Sequence, residues 1–234
     1  MSLESDIADR LQDVRGRIAD AVRASGRTPS TVRLIAVSKT FGTAHVRAAA
    51  AAGQRVFGEN RVQEGLQKIA ASSDLVLEWH LIGHLQSNKV RKAAESFAGI
   101  HSIDSVDLLA RLEEAATAAG TTPEALVQVD LAREPTKHGA TPDRVPGIFD
   151  AAAPCRAVRL VGLMLLPPFF EDPEAARPYF ERLRQFRDKL EASGVAPGML
   201  RELSMGMSHD FDVAVQEGST MVRVGTAIFG ERHV

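Results

Sequence analysis

The sequence predicts an α/β fold, a single (β/α)8 TIM barrel with an extra N-terminal helix. Over most of the 234 residues, eight short apolar runs rich in β-branched side chains alternate with helix-like stretches. Parallel strands need crossover connections, so this alternation predicts a parallel sheet, and eight such units in a chain of this length match a closed barrel. A doubly wound open sheet is the alternative. We expect residues 1–234 to form one barrel domain, with residues 1–25 as a helix packed on it.

The elements follow one another along the chain. Apolar side chains recur at helical spacing between residues 4 and 24, at Ile7, Leu11, Val14, Ile18 and Val22. The predicted strands then cover 33–38, 55–57, 77–82, 99–103, 125–129, 158–165, 201–204 and 221–224. Predicted helices between them include 43–52, 59–71, 105–119, 173–192 and 209–217. The residues after the last strand leave room for a short closing helix.

Composition excludes several classes of protein. The formal net charge of -2 favours neither nucleic acid nor an anionic membrane surface as a partner. The one cysteine, Cys155, excludes an internal disulfide and fits a reducing compartment. The acidic, polar start of the chain is unlike a signal or transit peptide, and no apolar run approaches the roughly 18 residues of a membrane-spanning helix. We therefore expect a cytoplasmic protein.

Small and hydroxylated residues follow the last two predicted strands, where barrels frequently bind phosphate. Gly206 and Gly225 let the backbone approach an anion closely, and Ser204 and Thr226 add hydroxyl donors. Ser208 is either a further donor or the cap of the helix that begins after it. The sequence therefore predicts a phosphate site at this end of the barrel.

Two cations accompany this phosphate site, because the first and last strands of a closed barrel are neighbours. Lys39 ends the first strand, where burial lowers the pKa of an amine and favours attack on an aldehyde; the alternative is a lysine that extends to the rim. Arg223 shares a strand face with Gly225; its alternative role is an ion pair with Asp104 or Asp130. An amine, a guanidinium and a phosphate site together suit pyridoxal 5′-phosphate (PLP), which has an aldehyde, a pyridine nitrogen and a phosphate.

A family resemblance points to the same cofactor. From about residue 32 to 231 the chain resembles the YggS/PROSC family of PLP-binding proteins, also called PLP homeostasis proteins. The resemblance implies a barrel like the N-terminal domain of alanine racemase and no established catalytic activity. It also implies a role in vitamin B6 homeostasis. The segments that carry it are LIAVSKT, VFGENRVQE, WHLIGHLQSNKVRK, HSIDS, TKHG, GLM, LSMGMSHDF and GSTMVRVGTAIFG.

The resemblance also implies a role for individual residues. PLP would be bound to Lys39 as an internal aldimine, and Arg223 would face the pyridine nitrogen. An arginine there leaves this nitrogen unprotonated, which makes the ring a weak electron sink. Asn60 and His80 would lie close to the ring. The residues implied to hold the phosphate are Ser204, Gly206, Gly225 and Thr226.

An amino-acid racemase is the leading enzyme alternative, and it would need a second base opposite Lys39. The one tyrosine, Tyr179, lies in a predicted helix far from any strand end, which favours packing. His80, His84 and His209 remain conceivable bases. We therefore expect PLP binding without assigned catalytic residues.

Other enzyme classes have less support. A class I aldolase also uses a barrel lysine, but the arginine of the last strand has no evident task there. We expect no metal site, because neither HxH nor HExxH spacing occurs.

The expected partners are PLP and apo forms of PLP enzymes as its recipients, and we expect a monomer. Lys137, beside Arg133 and His138 in the loop after the fifth strand, is either a transient outer station for PLP or an ordinary solvated lysine.

Overall fold

The computed structural model describes residues 2–28, 31–132 and 138–231 and shows a closed barrel of eight parallel strands. Each strand pairs with the next one, and β8 pairs with β1, with Ile35 opposite Arg223. This confirms the predicted barrel and excludes the open sheet. The strands are β1 (Arg33–Val37), β2 (Val56–Glu59), β3 (Glu78–Leu81), β4 (Gly99–Ile103), β5 (Glu124–Gln128), β6 (Arg159–Met164), β7 (Glu202–Met207) and β8 (Met221–Val224).

Helices connect the strands on the outside of the barrel. They are α1 (Leu3–Ala24), α2 (Thr43–Ala51), α3 (Val62–Ala71), α4 (Val90–Ser96), α5 (Val106–Ala119), α6 (Val145–Ala152), α7 (Arg177–Ala192), α8 (Phe211–Gln216) and α9 (Thr226–Phe229). Among the described residues, short 3₁₀ turns cover Ser87–Lys89, Pro173–Ala176 and Pro197–Met199. The predicted extra helix is α1, and the short closing helix is α9. None of the helices within the described ranges is long and apolar enough to cross a membrane.

Several boundaries differ from the predicted ones, and two of these differences bear on the site. The helix predicted from residue 59 begins at Val62, because Glu59 is the last residue of β2 and pairs with β3. The seventh strand continues to Met207 rather than ending at residue 204, because Met207 still pairs with Arg223 of β8 after a shift in register. The polar and small residues of this strand end are therefore part of the sheet.

The apolar core has two parts. The larger part lies between the barrel and its helices and includes the fully buried Phe57, Phe149, Phe180 and Phe211. Here α1 contributes Ile7, Leu11 and Val14 and packs against α2, α8 and α9. The smaller part, inside the barrel, consists of Ile35, Leu126, Val161, Met164 and Met221.

Polar side chains occupy much of the remaining barrel interior. His80, His101, Ser204 and Arg223 are all almost fully buried. Gly99 provides the space for one of them, because a Cβ atom at this position would lie 2.4 Å from Nδ1 of His80. Buried polar groups require hydrogen-bond partners, so each of these side chains needs an explanation. The barrel interior is therefore a candidate for the functional site.

Candidate functional site

The backbone around Lys39 is fixed on both sides by side chains of α3. Lys68 Nζ donates to the carbonyl oxygen of Ser38 at 2.6 Å. The N–H of Thr40 donates to Oε1 of Glu64 at 2.5 Å. Thr40 has a φ of 71°, a left-handed conformation that costs a β-branched residue energy. These contacts hold Lys39, which is partly buried, at the carboxyl end of β1.

The same contacts belong to a buried ion cluster, which we define as Glu59, Glu64 and Lys68. Lys68 Nζ lies 2.7 Å from Oε1 of Glu59 and 2.8 Å from Oε1 of Glu64. Ser38 Oγ donates to Oε1 of Glu59 at 2.5 Å, while Oε2 of Glu59 has no hydrogen-bond partner among the described residues. Burial raises the pKa of Glu59. At Glu64 burial is outweighed by hydrogen bonds from Lys68 and Thr40, and the pKa is lowered.

Sequence reasoning missed the ion cluster. The spacing of Glu64 and Lys68 by four residues is a visible helical ion pair. It does not reveal that Glu59 completes the cluster, since that contact depends on how α3 packs on β2.

Arg223 lies inside the barrel on the strand next to β1. Its side chain donates from Nη1 to Oγ of Ser204 at 2.6 Å and from Nη2 to the carbonyl oxygen of Leu165 at 2.9 Å. Burial lowers the pKa of the Arg223 guanidinium to about 10, against the opposing charge of Asp210. The group stays cationic at neutral pH. Of the proposed ion-pair partners, Asp104 instead lies 3.9 Å from Nδ1 of His84.

A chain of hydrogen bonds continues from Arg223 through the barrel. Ser204 Oγ lies 2.9 Å from Nδ1 of His101, Nε2 of His101 lies 2.8 Å from Nδ1 of His80, and Nε2 of His80 lies 2.7 Å from Oε1 of Glu78. We call these five side chains the interior chain. Its far end reaches solvent, because the Glu78 side chain is 42% exposed.

The partners fix the direction of every donor in the interior chain. A guanidinium only donates and an ionised carboxylate only accepts. The hydrogen bond from His80 lowers the pKa of Glu78, which is therefore ionised and accepts from Nε2 of His80. His101 then donates to His80, and Ser204 donates to His101 and accepts from Arg223. One neutral tautomer of each imidazole satisfies the whole chain. Burial, with the positive charges of Arg223 and Arg33, holds the pKa of His101 well below its usual value.

The turn between β8 and α9 offers two backbone donors that point at one oxygen. The N–H groups of Gly225 and Ala227 both donate to Oγ of Ser208, at 3.1 and 3.3 Å. Ser208 therefore lies against this turn, whereas α8 begins after Asp210 without a side-chain cap. Thr226, the first residue of α9, is exposed at the same place.

Close packing explains Gly225 at this turn and Gly206 near the end of β7. A Cβ atom on Gly225 would lie 3.1 Å from the carbonyl oxygen of Val37, at the end of β1. Gly206 has a φ of 95°, and a Cβ atom there would lie 2.6 Å from that of Ala214. The turn and the end of β1 are thus in direct contact, which brings the donor pair close to the strand that leads to Lys39.

The remaining predicted residues have varied positions. Asn60 follows β2 and is partly buried, and its carbonyl oxygen would be 2.2 Å from a Cβ atom on Gly83 after β3. Tyr179 packs against the core from α7, with its ring centroid 5.9 Å from that of Phe170, as predicted. Arg133 and Lys137 lie outside the described residues.

The donor set fits PLP. Backbone N–H groups and hydroxyls suit the phosphate. A fixed guanidinium suits an unprotonated pyridine nitrogen, and a lysine amine suits the aldehyde. These groups come from β1, β7 and β8, which are adjacent in the barrel.

Comparison with known proteins shows what the chain is similar to. The family model described as alanine racemase, N-terminal domain, matches residues 11–233. The chain is 42% identical over 225 residues to the pyridoxal phosphate homeostasis protein of Aquifex aeolicus, covering 96% of this chain and 97% of that protein. The structure of PipY from Synechococcus elongatus with PLP bound is similar at 41% identity and a TM-score of 0.85, over 96% of this chain and all of that one.

The fold has a more distant relative. An alanine racemase of Clostridium difficile is similar at a TM-score of 0.75 and 14% identity, over 98% of this chain and 58% of the racemase. At this identity the similarity shows the barrel fold alone.

Proposed function

The chain belongs to the family of pyridoxal phosphate homeostasis proteins, and from this we propose that it binds PLP reversibly on Lys39 and serves PLP homeostasis rather than turnover catalysis. Lys39 would hold the cofactor through its amine, a nucleophile suited to an aldehyde. The C=N bond would form with release of one water, and one water would reverse it, so the cofactor could be released again.

One observation carries this proposal. Arg223 lies on β8, Lys39 follows β1, the strand that pairs with β8, and the turn with two converging N–H groups packs directly on Val37 of β1. An amine, a guanidinium and an anion-binding turn therefore share one end of the barrel. These three groups match the three reactive parts of PLP, which are its aldehyde, its pyridine nitrogen and its phosphate.

The phosphate end follows from the turn geometry. We propose that the N–H groups of Gly225 and Ala227 donate to the phosphate, with Thr226 and the backbone at Gly206 beside it. Ser208 lies on the same two N–H groups and would rotate to become a further donor. Asn60 would contact the ring from the end of β2.

Two residues act through Arg223 in this proposal. The hydroxyl of Ser204 bonds Arg223 and His101, so its role is to hold the guanidinium rather than the phosphate. His80 bonds His101 and Glu78 and supports the same arrangement from further inside. Both are positioning residues for the contact between Arg223 and the pyridine nitrogen.

The arginine favours storage over chemistry. When bound, PLP can supply an electron sink for carbanions, and this sink is strongest with a protonated pyridine nitrogen. A guanidinium donates a hydrogen bond to that nitrogen but does not transfer its proton at neutral pH. The racemase alternative would need a second base opposite Lys39. Nε2 of His209 lies 2.9 Å from the carbonyl oxygen of Glu171, and Tyr179 packs in α7, so neither residue is arranged as that base.

The test is a handover experiment. Protein loaded with PLP is mixed with an apo form of a PLP-dependent enzyme, and recovery of that enzyme's activity is followed. We expect recovery at a rate at least equal to spontaneous release of PLP into a trap, and none from a Lys39→Ala variant purified after the same loading. Failure of the loaded protein to release PLP during the assay would overturn the homeostasis proposal.

A further inference from the structure

Three ligand-type side chains meet at the same end of the barrel, in the segments that follow β3, β4 and β5. His84 follows β3, Asp104 follows β4, and His138 lies in the segment after β5. One ligand atom from each lies within 4.8 Å of the other two. The rings of His84 and His138 are stacked, with centroids 3.7 Å apart and an interplanar angle of 11°.

The third ligand is held in place by its backbone. Gln128, a buried residue at the end of β5, donates from Nε2 to the carbonyl oxygen of His138 at 2.5 Å. The backbone oxygen of Gln128 accepts from the N–H of Ala140 at 2.8 Å. The chain on the carboxyl side of His138 is therefore tied to β5, and its imidazole is kept beside His84.

The donor set selects a class of ion. Two imidazole nitrogens and one carboxylate oxygen suit zinc and its first-row neighbours, whereas magnesium and calcium prefer oxygen donors alone. Ligand atoms around tetrahedral zinc, with bonds of about 2.0–2.1 Å, lie about 3.3 Å apart. The separation of 3.9 Å between Nδ1 of His84 and Oδ2 of Asp104 is close to this value.

The cluster is open to solvent. All three residues are partly or largely exposed, so an ion can enter from solvent.

We propose that His84, Asp104 and His138 form a binding site for a zinc-class divalent ion, with remaining positions open to water or another ligand. In two stacked, parallel imidazoles the nitrogen lone pairs point in parallel directions rather than at one ion. Binding would therefore turn the two rings out of their stack. The ion joins the ends of β3, β4 and β5 across the barrel mouth. This proposal does not depend on PLP binding.

The test uses Zn²⁺ alone as the probe. Protein freed of metal with a chelator is titrated against a chromophoric zinc indicator, with and without PLP. The variants are His84→Ala, Asp104→Asn and His138→Ala. The matched control is His209→Ala, another exposed histidine, whose Nε2 bonds the carbonyl oxygen of Glu171 and whose ring packs on Phe169. Circular dichroism and PLP absorbance verify that each variant is folded and loaded.

We expect one zinc per chain in the wild type and in the control. Each ligand variant should bind zinc at least about tenfold more weakly, which corresponds to about 1.4 kcal/mol. Mg²⁺ should not compete, and the affinity should fall with falling pH as the imidazoles gain protons. Equal zinc affinity in all variants, or no binding by the wild type, would overturn the proposal. PLP loading reports separately on the cofactor site.

Discussion

Arg223 is a buried cation whose hydrogen-bond partners are a hydroxyl and a carbonyl group. In Arg223→Glu, a carboxylate would face these same groups, and the pyridine nitrogen would gain a proton. We expect a changed absorption spectrum of bound PLP and binding weakened by roughly 30-fold or more, the equivalent of about 2 kcal/mol. A spectral titration measures both.

The matched variant is Arg223→Lys, which keeps the charge and loses the planar fork. It should fall between the wild type and the glutamate variant. An unchanged spectrum and affinity in Arg223→Glu would mean that the guanidinium does not contact the ring.

Lys68 anchors the segment that carries Lys39. In Lys68→Met, the buried Glu59 and its neighbour Glu64 lose their shared cation, and Ser38 loses a hydrogen bond. We expect the free energy of unfolding to fall by about 3–5 kcal/mol, because breaking a buried pair leaves an uncompensated charge. Denaturant titration gives this value, and PLP affinity should fall as well because the backbone at Lys39 is less restrained.

Lys92→Met, on the exposed face of α4, is the control and should change neither quantity. Adding Glu59→Gln to Lys68→Met should restore part of the stability, since the uncompensated carboxylate is then removed. No stability loss in the single variant would refute the anchoring role of Lys68.

At the scale of elements, the carboxyl ends of β7 and β8 show what sequence could and could not predict. Gly206, Gly225 and Thr226 could be proposed for the phosphate because small residues after the last two strands of a barrel are a known phosphate pattern. The two serines could not be told apart, because a strand that continues to Met207 places Ser204 in the barrel and Ser208 on the turn. The strand's length depends on its pairing with β8, and that pairing is not local.

The interior chain has a pH signature. The pKa of His101 is held low in the folded protein, so below the usual value of about 6.5 the unfolded chain binds a proton that the native state does not. The contribution of His101 to the free energy of unfolding is therefore fully present above this pH. It falls as the pH is lowered, by up to about 1.4 kcal/mol per pH unit.

The variant His101→Gln tests this slope. Glutamine can still accept from Ser204 and donate to His80, but it does not titrate. Between pH 6.5 and 5, denaturant titrations should show a slope reduced by up to one proton relative to the wild type, whatever the change in absolute stability. Equal slopes would contradict the assignment of a neutral His101. In the protein without PLP, nitrogen NMR shifts should show a single N–H on the His101 imidazole. This signal should be absent in His101→Gln.

At the scale of the whole molecule, barrel closure assembles the candidate site. Lys39 and Arg223 are 184 positions apart in the sequence, and only the pairing of β1 with β8 brings their strands together. The eight apolar runs and their spacing predicted this closure, since local periodicity is visible in one sequence. The ligand-type cluster of His84, Asp104 and His138 was missed, because its residues come from three strand ends with no motif spacing.

The whole barrel should also be a poor racemase. Among the described residues, Tyr179 packs in α7 and His209 bonds a backbone carbonyl, so neither is arranged as a second base opposite Lys39. Purified protein with PLP should not racemise alanine at rates typical of enzymes, roughly 1–1000 per second. Sustained turnover in that range, lost in Lys39→Ala, would establish the racemase alternative instead.

Reduction of the PLP-loaded protein with borohydride, followed by peptide mapping, tests the central claim most directly. Borohydride converts a C=N bond to a stable amine and so marks the lysine that holds the cofactor. We predict one pyridoxyl group per chain, on Lys39, and no marked peptide in Lys39→Ala carried through the same steps. A pyridoxyl group found mainly on another lysine, or an unmarked Lys39 in protein that retains PLP, would contradict this account of the site.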